Sequence, residues 1–194
     1  MFIDYLTLIM INMIAGTAIL AYYVYQGINS EDQQPYAAGF GIVGLLALVL
    51  GLVLTITWPL PGSYNIAFGE STTLFGASFF AAAVAIYKRW NLTPVTIFAF
   101  FAGLFAIIVG AHIISLQMTR QPLLSGVGFI MAGLGGTLAA PTLGLLKKYK
   151  VLRVLAALFL LVNMLLWSVT FYGALYAHLQ SFGEWLPPLM RGGQ

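Results

Sequence analysis

The feature that most constrains this chain is a succession of long apolar runs with almost no sequence between them. A helix that crosses the hydrocarbon core needs roughly 20 apolar residues. Six such runs fit, at about Tyr5 to Tyr25, Tyr36 to Thr57, Ile66 to Tyr87, Pro94 to Leu116, Leu124 to Leu146 and Val151 to Tyr176. They are continuous, not alternating, so the spans are helices and not barrel strands. Only 7% of the residues are charged, against about a quarter in a soluble domain. That excludes a soluble domain, a disordered chain and a nucleic-acid binder. The fold expected is an all-α integral membrane protein, one six-helix domain over residues 1–194 whose surroundings are the lipid bilayer. Met1, Phe2, Ile3 and Asp4 form no basic leader, and the first run is too long for a signal peptide.

Orientation follows from the Lys/Arg bias of short loops. Lys88, Arg89, Lys147, Lys148, Lys150 and Arg153 fall on one side, and Arg120 and Arg191 on the other, with both termini. The basic side is expected in the cytoplasm, so both termini face outward across the cell membrane. Tyr22, Tyr23, Tyr25, Tyr36, Trp58, Tyr64, Tyr87 and Trp90 flank the loops, where aromatic rings sit at the headgroup level.

Helices associate in lipid through small residues that let backbones approach. Gly128, Ala132, Gly136 and Ala140 stand four apart in the fifth span and form the strongest such ridge. It is read as a packing face, within the subunit or between subunits. The second span offers Ala37, Gly41, Gly44, Ala47 and Gly51, and the fourth Ala99, Gly103, Ala106 and Gly110. Pro141 follows Gly133, Gly135 and Gly136, and a kink or break is expected near Ala140-Pro141. Three spans per half would give halves of opposite topology, although the halves share too little sequence to assert a repeat.

Ionisable and amide groups inside spans are functional candidates by default. Glu70 opens the third span, and Asp4 lies at the same level before the first. His112 stands in the outer third of the fourth span, a candidate pH-sensitive partner for Glu70. His178 lies just past the sixth, and two histidines on different helices could ligate a haem iron. Asn12 and Asn163 fall near the middle of the first and sixth spans, where each amide must find a partner. They either join helices or line a polar path with Thr17, Trp167 and Thr170. Trp167 follows Asn163 by four residues, so the two share a face. In the loop from Trp58 to Asn65, Pro61-Gly62 suits the centre of a type II turn, and Ser63 or Asn65 suits a helix cap.

No catalytic grouping, phosphate-binding loop or metal-ligand spacing is present, and there is no cysteine. The chain is expected to be neither an enzyme nor a carrier of a metal or cofactor.

The stretch from Trp58 to Glu70, Trp-Pro-Leu-Pro-Gly-Ser-Tyr-Asn-Ile-Ala-Phe-Gly-Glu, resembles an uncharacterised family of prokaryotic membrane proteins, a domain of unknown function. The likeness extends over most of the chain, including Gly126-Val127-Gly128-Phe129, and implies no activity. More distantly, the chain is similar to the AmiS/UreI family of urea and short-chain amide channels. The likeness lies in length, in six spans, in Leu74-Phe75-Gly76 and in Trp90-Asn91-Leu92-Thr93-Pro94. It implies a ring of six subunits, each with its own pore. Ala77 and Ala81 stand where that family carries aromatic side chains, and the fifth span has no tryptophan. The departures imply a wider path or a different solute.

The function expected is an oligomeric channel or facilitator for a small uncharged or weakly polar solute. Asn12, Glu70, Ala77, Ala81, Asn163 and Trp167 are the lining candidates, with Glu70 and His112 as pH modulators. The alternatives are an accessory subunit of a membrane complex and a haem protein built on His112 and His178.

Overall fold

The structure is a computed structural model that describes residues 4–180, so Met1, Phe2, Ile3 and Arg191 lie outside the described residues. Six helical segments are long and apolar enough to cross a membrane. They are α1 (Tyr5–Tyr25), α2 (Gln34–Thr57), the segment Asn65–Tyr87 that contains α3 (Ser71–Tyr87), α4 (Thr93–Ser115), α5 (Pro122–Lys148) and α6 (Lys150–Gln180). A π-helical lead-in, Asn65–Glu70, runs straight into α3. No strand occurs among the described residues.

The starts and stops have local causes. Asp4 caps α1 by accepting from the Thr7 amide. Proline sits in the first turn of α2, α4 and α5, where its missing N–H removes nothing from the ladder. Asn91 holds the Thr93 amide at 2.9 Å where α4 begins. Trp58, Arg89 and Gln117 adopt the left-handed conformation just past α2, α3 and α4, at positions where glycine is the common terminator. Lys147 and Lys148 close α5 against the negative end of its dipole.

Two expectations about local structure are corrected. Of the kink or break expected near Ala140-Pro141, the break does not occur: α5 continues as one helix to Lys148. Loss of one hydrogen bond costs less than exposing the ends of a broken helix to hydrocarbon. Asn65 does not cap a helix. Its Oδ1 accepts from the Leu60 amide at 2.9 Å, and its Nδ2 donates to the carbonyls of Leu60 and Gly62. The side chain closes the loop on itself and is fully buried. Gly62 takes φ +49°, but the Tyr64 amide bonds back to the Pro61 carbonyl, so glycine is the first central residue of that turn.

Each helix packs against its neighbours in the chain, and α6 packs back on α1, which closes the six into a ring. The start of α1 therefore lies beside the end of α6; this is the terminal end of the bundle. Lys88, Arg89 and Lys147 to Arg153 mark the opposite, basic end. Two antiparallel pairs in the ring meet backbone to backbone. A Cβ on Gly44 would lie 2.3 Å from the Phe80 amide nitrogen, and one on Gly76 would lie 2.3 Å from that of Leu48, so α2 and α3 admit only glycine there. Gly103 and Gly110 of α4 likewise face the carbonyls of Gly133 and Gly126 on α5.

The ridge read from the fifth span is used inside the chain. A Cβ on Gly136 would press on the Ala99 carbonyl of α4, and one on Gly128 would touch the Trp167 ring of α6. Ala132 faces the centre of the ring, and Ala140 is half-buried.

Candidate functional site

The ring encloses a cavity of about 950 Å³ lined by residues of all six helices. At the basic end it is stopped by buried Tyr23, Ile28 and Leu146. Ile28 belongs to a short 3-10 turn, Gly27–Asn29, folded across that end. The turn is tied down by Asn29 Nδ2 to the Lys147 carbonyl at 2.9 Å and by Gln33 Nε2 to the Ile28 carbonyl at 3.2 Å. At the terminal end the lining residues Arg120, Gln121 and Tyr172 are exposed. The cavity is thus open toward the terminal end and closed toward the basic one.

Its walls are mostly apolar. Phe75 and Phe79 of α3 lie ring against ring with centroids 4.2 Å apart. Tyr64, Phe68, Phe129 and Trp167 form a chain of ring contacts spaced 5.3 to 6.1 Å, reaching from the loop before α3 across α5 to α6. Between its ends no charged side chain lines the cavity, and Arg120 and His178 stand at the terminal end.

Within this wall three buried polar atoms have no hydrogen-bond partner among the described residues: Ser71 Oγ, Asn163 Oδ1 and Trp167 Nε1. Asn163 is 1% exposed and Trp167 6%. An unmade bond at such a site costs about 1–3 kcal/mol. Four other hydroxyls there are satisfied locally: Thr17, Thr72, Ser78 and Thr170 each donate to the carbonyl four residues back, at 2.6 to 3.0 Å. The unpartnered groups are one acceptor, one donor and one hydroxyl that can be either.

The remaining sequence candidates lie elsewhere. Asn12 is buried but joins helices, its Nδ2 donating to the Val43 carbonyl of α2 at 3.0 Å, and it is not on the cavity wall. Glu70 is half-buried on another side of the α3 segment, with no hydrogen bond or ion pair from its carboxylate among the described residues. Ala77 and Ala81 also lie off the wall, Ala81 exposed. On α3 it is Phe75 and Phe79, and not Ala77 and Ala81, that line the cavity. His112 is exposed and donates from Nδ1 to the Ile108 carbonyl of its own helix at 2.9 Å, and no contact joins it to Glu70. His178 donates from Nδ1 to Asp4 Oδ2 at 2.8 Å, linking α6 to α1 at the terminal end. The two histidines are engaged separately. The Asp4–His178 contact was not read from the sequence, although both residues were placed at the outer level.

A family model described as "Protein of unknown function (DUF981)" matches residues 1–181. The chain belongs to that family. The match spans every described helix, so the ring and its cavity lie wholly within the family's extent. No curated protein and no solved structure matches the chain, so no comparison joins it to the AmiS/UreI channels.

Proposed function

We propose that this protein is a membrane channel or facilitator for a small uncharged or weakly polar solute, which occupies the central cavity of the ring. The observation that carries this reading is the set of unpartnered polar atoms on an otherwise apolar wall, Asn163 Oδ1, Trp167 Nε1 and Ser71 Oγ. A concave apolar site with a few convergent polar groups is the usual form of a small-molecule site. The absence of fixed charge along the middle of the wall favours a neutral solute over an ion. The reading is of passage, not catalysis. Passage requires the Gly27–Asn29 turn to lift from the basic end, because Ile28 closes the cavity there. Each chain holds its own cavity, so a homo-oligomer would carry one path per subunit. A cell-membrane location with the basic end in the cytoplasm and both termini outside completes the proposal.

Stopped-flow light scattering on proteoliposomes tests it, with water, urea, short amides and glycerol as solutes. Faster equilibration than in empty liposomes for at least one solute is expected, slowed in Asn163→Leu. No acceleration for any solute by folded protein overturns the reading. The orientation has its own test. The chain has no cysteine, so Arg89→Cys and Arg120→Cys should label from opposite sides of the cell membrane.

A second reading, an accessory subunit of a membrane complex, has one observation in its favour. Glu70 is a half-buried carboxylate in a span, off the cavity and without a partner among the described residues. A cation on another chain would satisfy it.

A further inference from the structure

The cavity is far larger than its few polar groups need. At about 950 Å³ it lies at the upper end of the range for drug-sized ligands, about 300–1,000 Å³. Asn163 divides it. One turn toward the terminal end stands Trp167, in the cluster with Phe129 and Met13, beyond which the wall becomes polar at Ser125, Gln121 and Arg120. One turn toward the basic end stands Leu160, in the cluster with Phe75, Phe79, Leu143 and Leu146. The rest of this half's wall is rings and aliphatic chains; the Tyr23 hydroxyl is bonded to Gln33 Oε1, and those of Thr17, Ser78 and Thr96 donate to carbonyls of their own helices. On α3 the lining of this half runs from Phe75 to Ile86, eleven residues of helix, a depth of about 16 Å.

We infer that the cavity binds a neutral amphiphile, whose polar head carries both a donor and an acceptor and meets Asn163 and Trp167, and whose apolar chain lies toward the basic end. The inference rests on reading the cavity as the solute's place, and it names the solute's class. A head that accepts from Trp167 Nε1–H and donates to Asn163 Oδ1 would satisfy both atoms, which are buried and have no partner among the described residues. A primary amide or an alcohol does both, whereas an ester or an ether only accepts. A charged head is disfavoured, because no countercharge lines the middle of the wall. Ser71 Oγ, on the same wall and also unpartnered, adapts to either polarity. The apolar half excludes water from a solute without a chain of its own, so a bare polar molecule leaves that half unmatched.

The test uses the full chain in lipid nanodiscs and dodecanamide bearing a diazirine on its chain, with labelled positions mapped by mass spectrometry. Label is expected on cavity residues such as Phe79 and Leu143. Excess dodecanamide or dodecanol should displace it, and methyl dodecanoate should not. Asn163→Leu should lower the cavity label roughly tenfold, the size of one lost hydrogen-bonded pair. Trp167→Phe, which keeps the ring and removes the N–H, should lower it by a similar factor. Thermal unfolding of both variants establishes that the bundle remains folded. Label confined to outward residues such as Phe101 and Ile108 overturns the inference. So does a cavity label that methyl dodecanoate displaces equally well, or one unchanged in both variants. Solute flux without cavity labelling would retire the inference and leave the passage reading. Cavity labelling without flux would retire passage and keep the binding site.

Discussion

Gly44→Ala adds a single methyl group, yet it should be among the most damaging small changes available in this bundle. The new Cβ would lie 2.3 Å from the Phe80 amide nitrogen, 2.7 Å from its Cα and 2.8 Å from the Phe79 carbonyl carbon. All three are backbone atoms of α3, so no rotamer relieves the clash. Ordinary contact begins at 3.4 Å, so α2 and α3 must part locally by about 1 Å, the difference between 3.4 and 2.3 Å. A gap of that size forfeits up to about half of each dispersion contact it opens. Overpacking of this kind costs about 1–3 kcal/mol, and the upper end is expected because the obstruction cannot move alone. Gly41→Ala is the matched control, one turn away on the same helix, where the new Cβ meets only the Ala83 methyl at 3.7 Å. There the gain in helix propensity, about 0.5–1 kcal/mol, should dominate and leave the protein unchanged or slightly firmer. Reversible unfolding in mixed detergent micelles reads both values. The backbone-contact account of the α2–α3 pair is refuted if the two variants agree within about 0.5 kcal/mol, the usual scatter of surface substitutions.

Three further outcomes are expected. Asn163→Leu should slow solute flux and yet raise stability by about 1–3 kcal/mol, because it removes a buried acceptor that has no partner; loss of both flux and stability would show that the amide is structural. Asn65→Ala should cost about 1–3 kcal/mol and raise protease sensitivity in the loop after α2, since three hydrogen bonds to that loop's backbone leave with the side chain; an intact loop by limited proteolysis would contradict this. A double-mutant cycle with Asp4→Asn and His178→Gln should give a coupling of about 0.2–1 kcal/mol that shrinks in high salt, because the pair is partly exposed at 26% and 20%; Asn keeps the cap on Thr7, so a salt-independent coupling would contradict an ion pair at this contact.

The six apolar helices were legible because hydrocarbon sets the length of such runs: α1 covers the run read from Tyr5 to Tyr25, and α2 starts two residues before the run read from Tyr36 to Thr57. Which way each helix faces was not. A soluble helix announces its buried side by contrast with its wet one, but here both sides are apolar: Phe75, which lines the cavity, and Phe80, which is exposed, are the same residue type. The resemblance to the amide channels points to Ala77 and Ala81 as lining, and Phe75 and Phe79 stand on the cavity wall in their place. Asn163 and Trp167 were legible as one face because polar atoms stand out against an apolar run and their spacing is four. Asn12 carried the same signal but serves α2, a difference that depends on where the Val43 carbonyl lies and that no local pattern encodes. The Asp4–His178 contact joins residues 174 apart and becomes visible only once the ring closes.

The glycines that bring α2 onto α3 and α4 onto α5 also set how the bundle can deform. Two helices locked backbone to backbone cannot slide or roll against each other without collision. Each pair therefore moves as a single stiff stave, and any change in the volume between the staves is taken up at the seams. Two of those seams run beside the site: α1 meets α2 where Asn12 bonds the Val43 carbonyl, and α5 meets α6 where Gly128 faces the Trp167 ring. The protein's breathing is in this sense directed, with the rigid joints holding the shape of the barrel while the seam at Trp167 sets how wide the chamber opens.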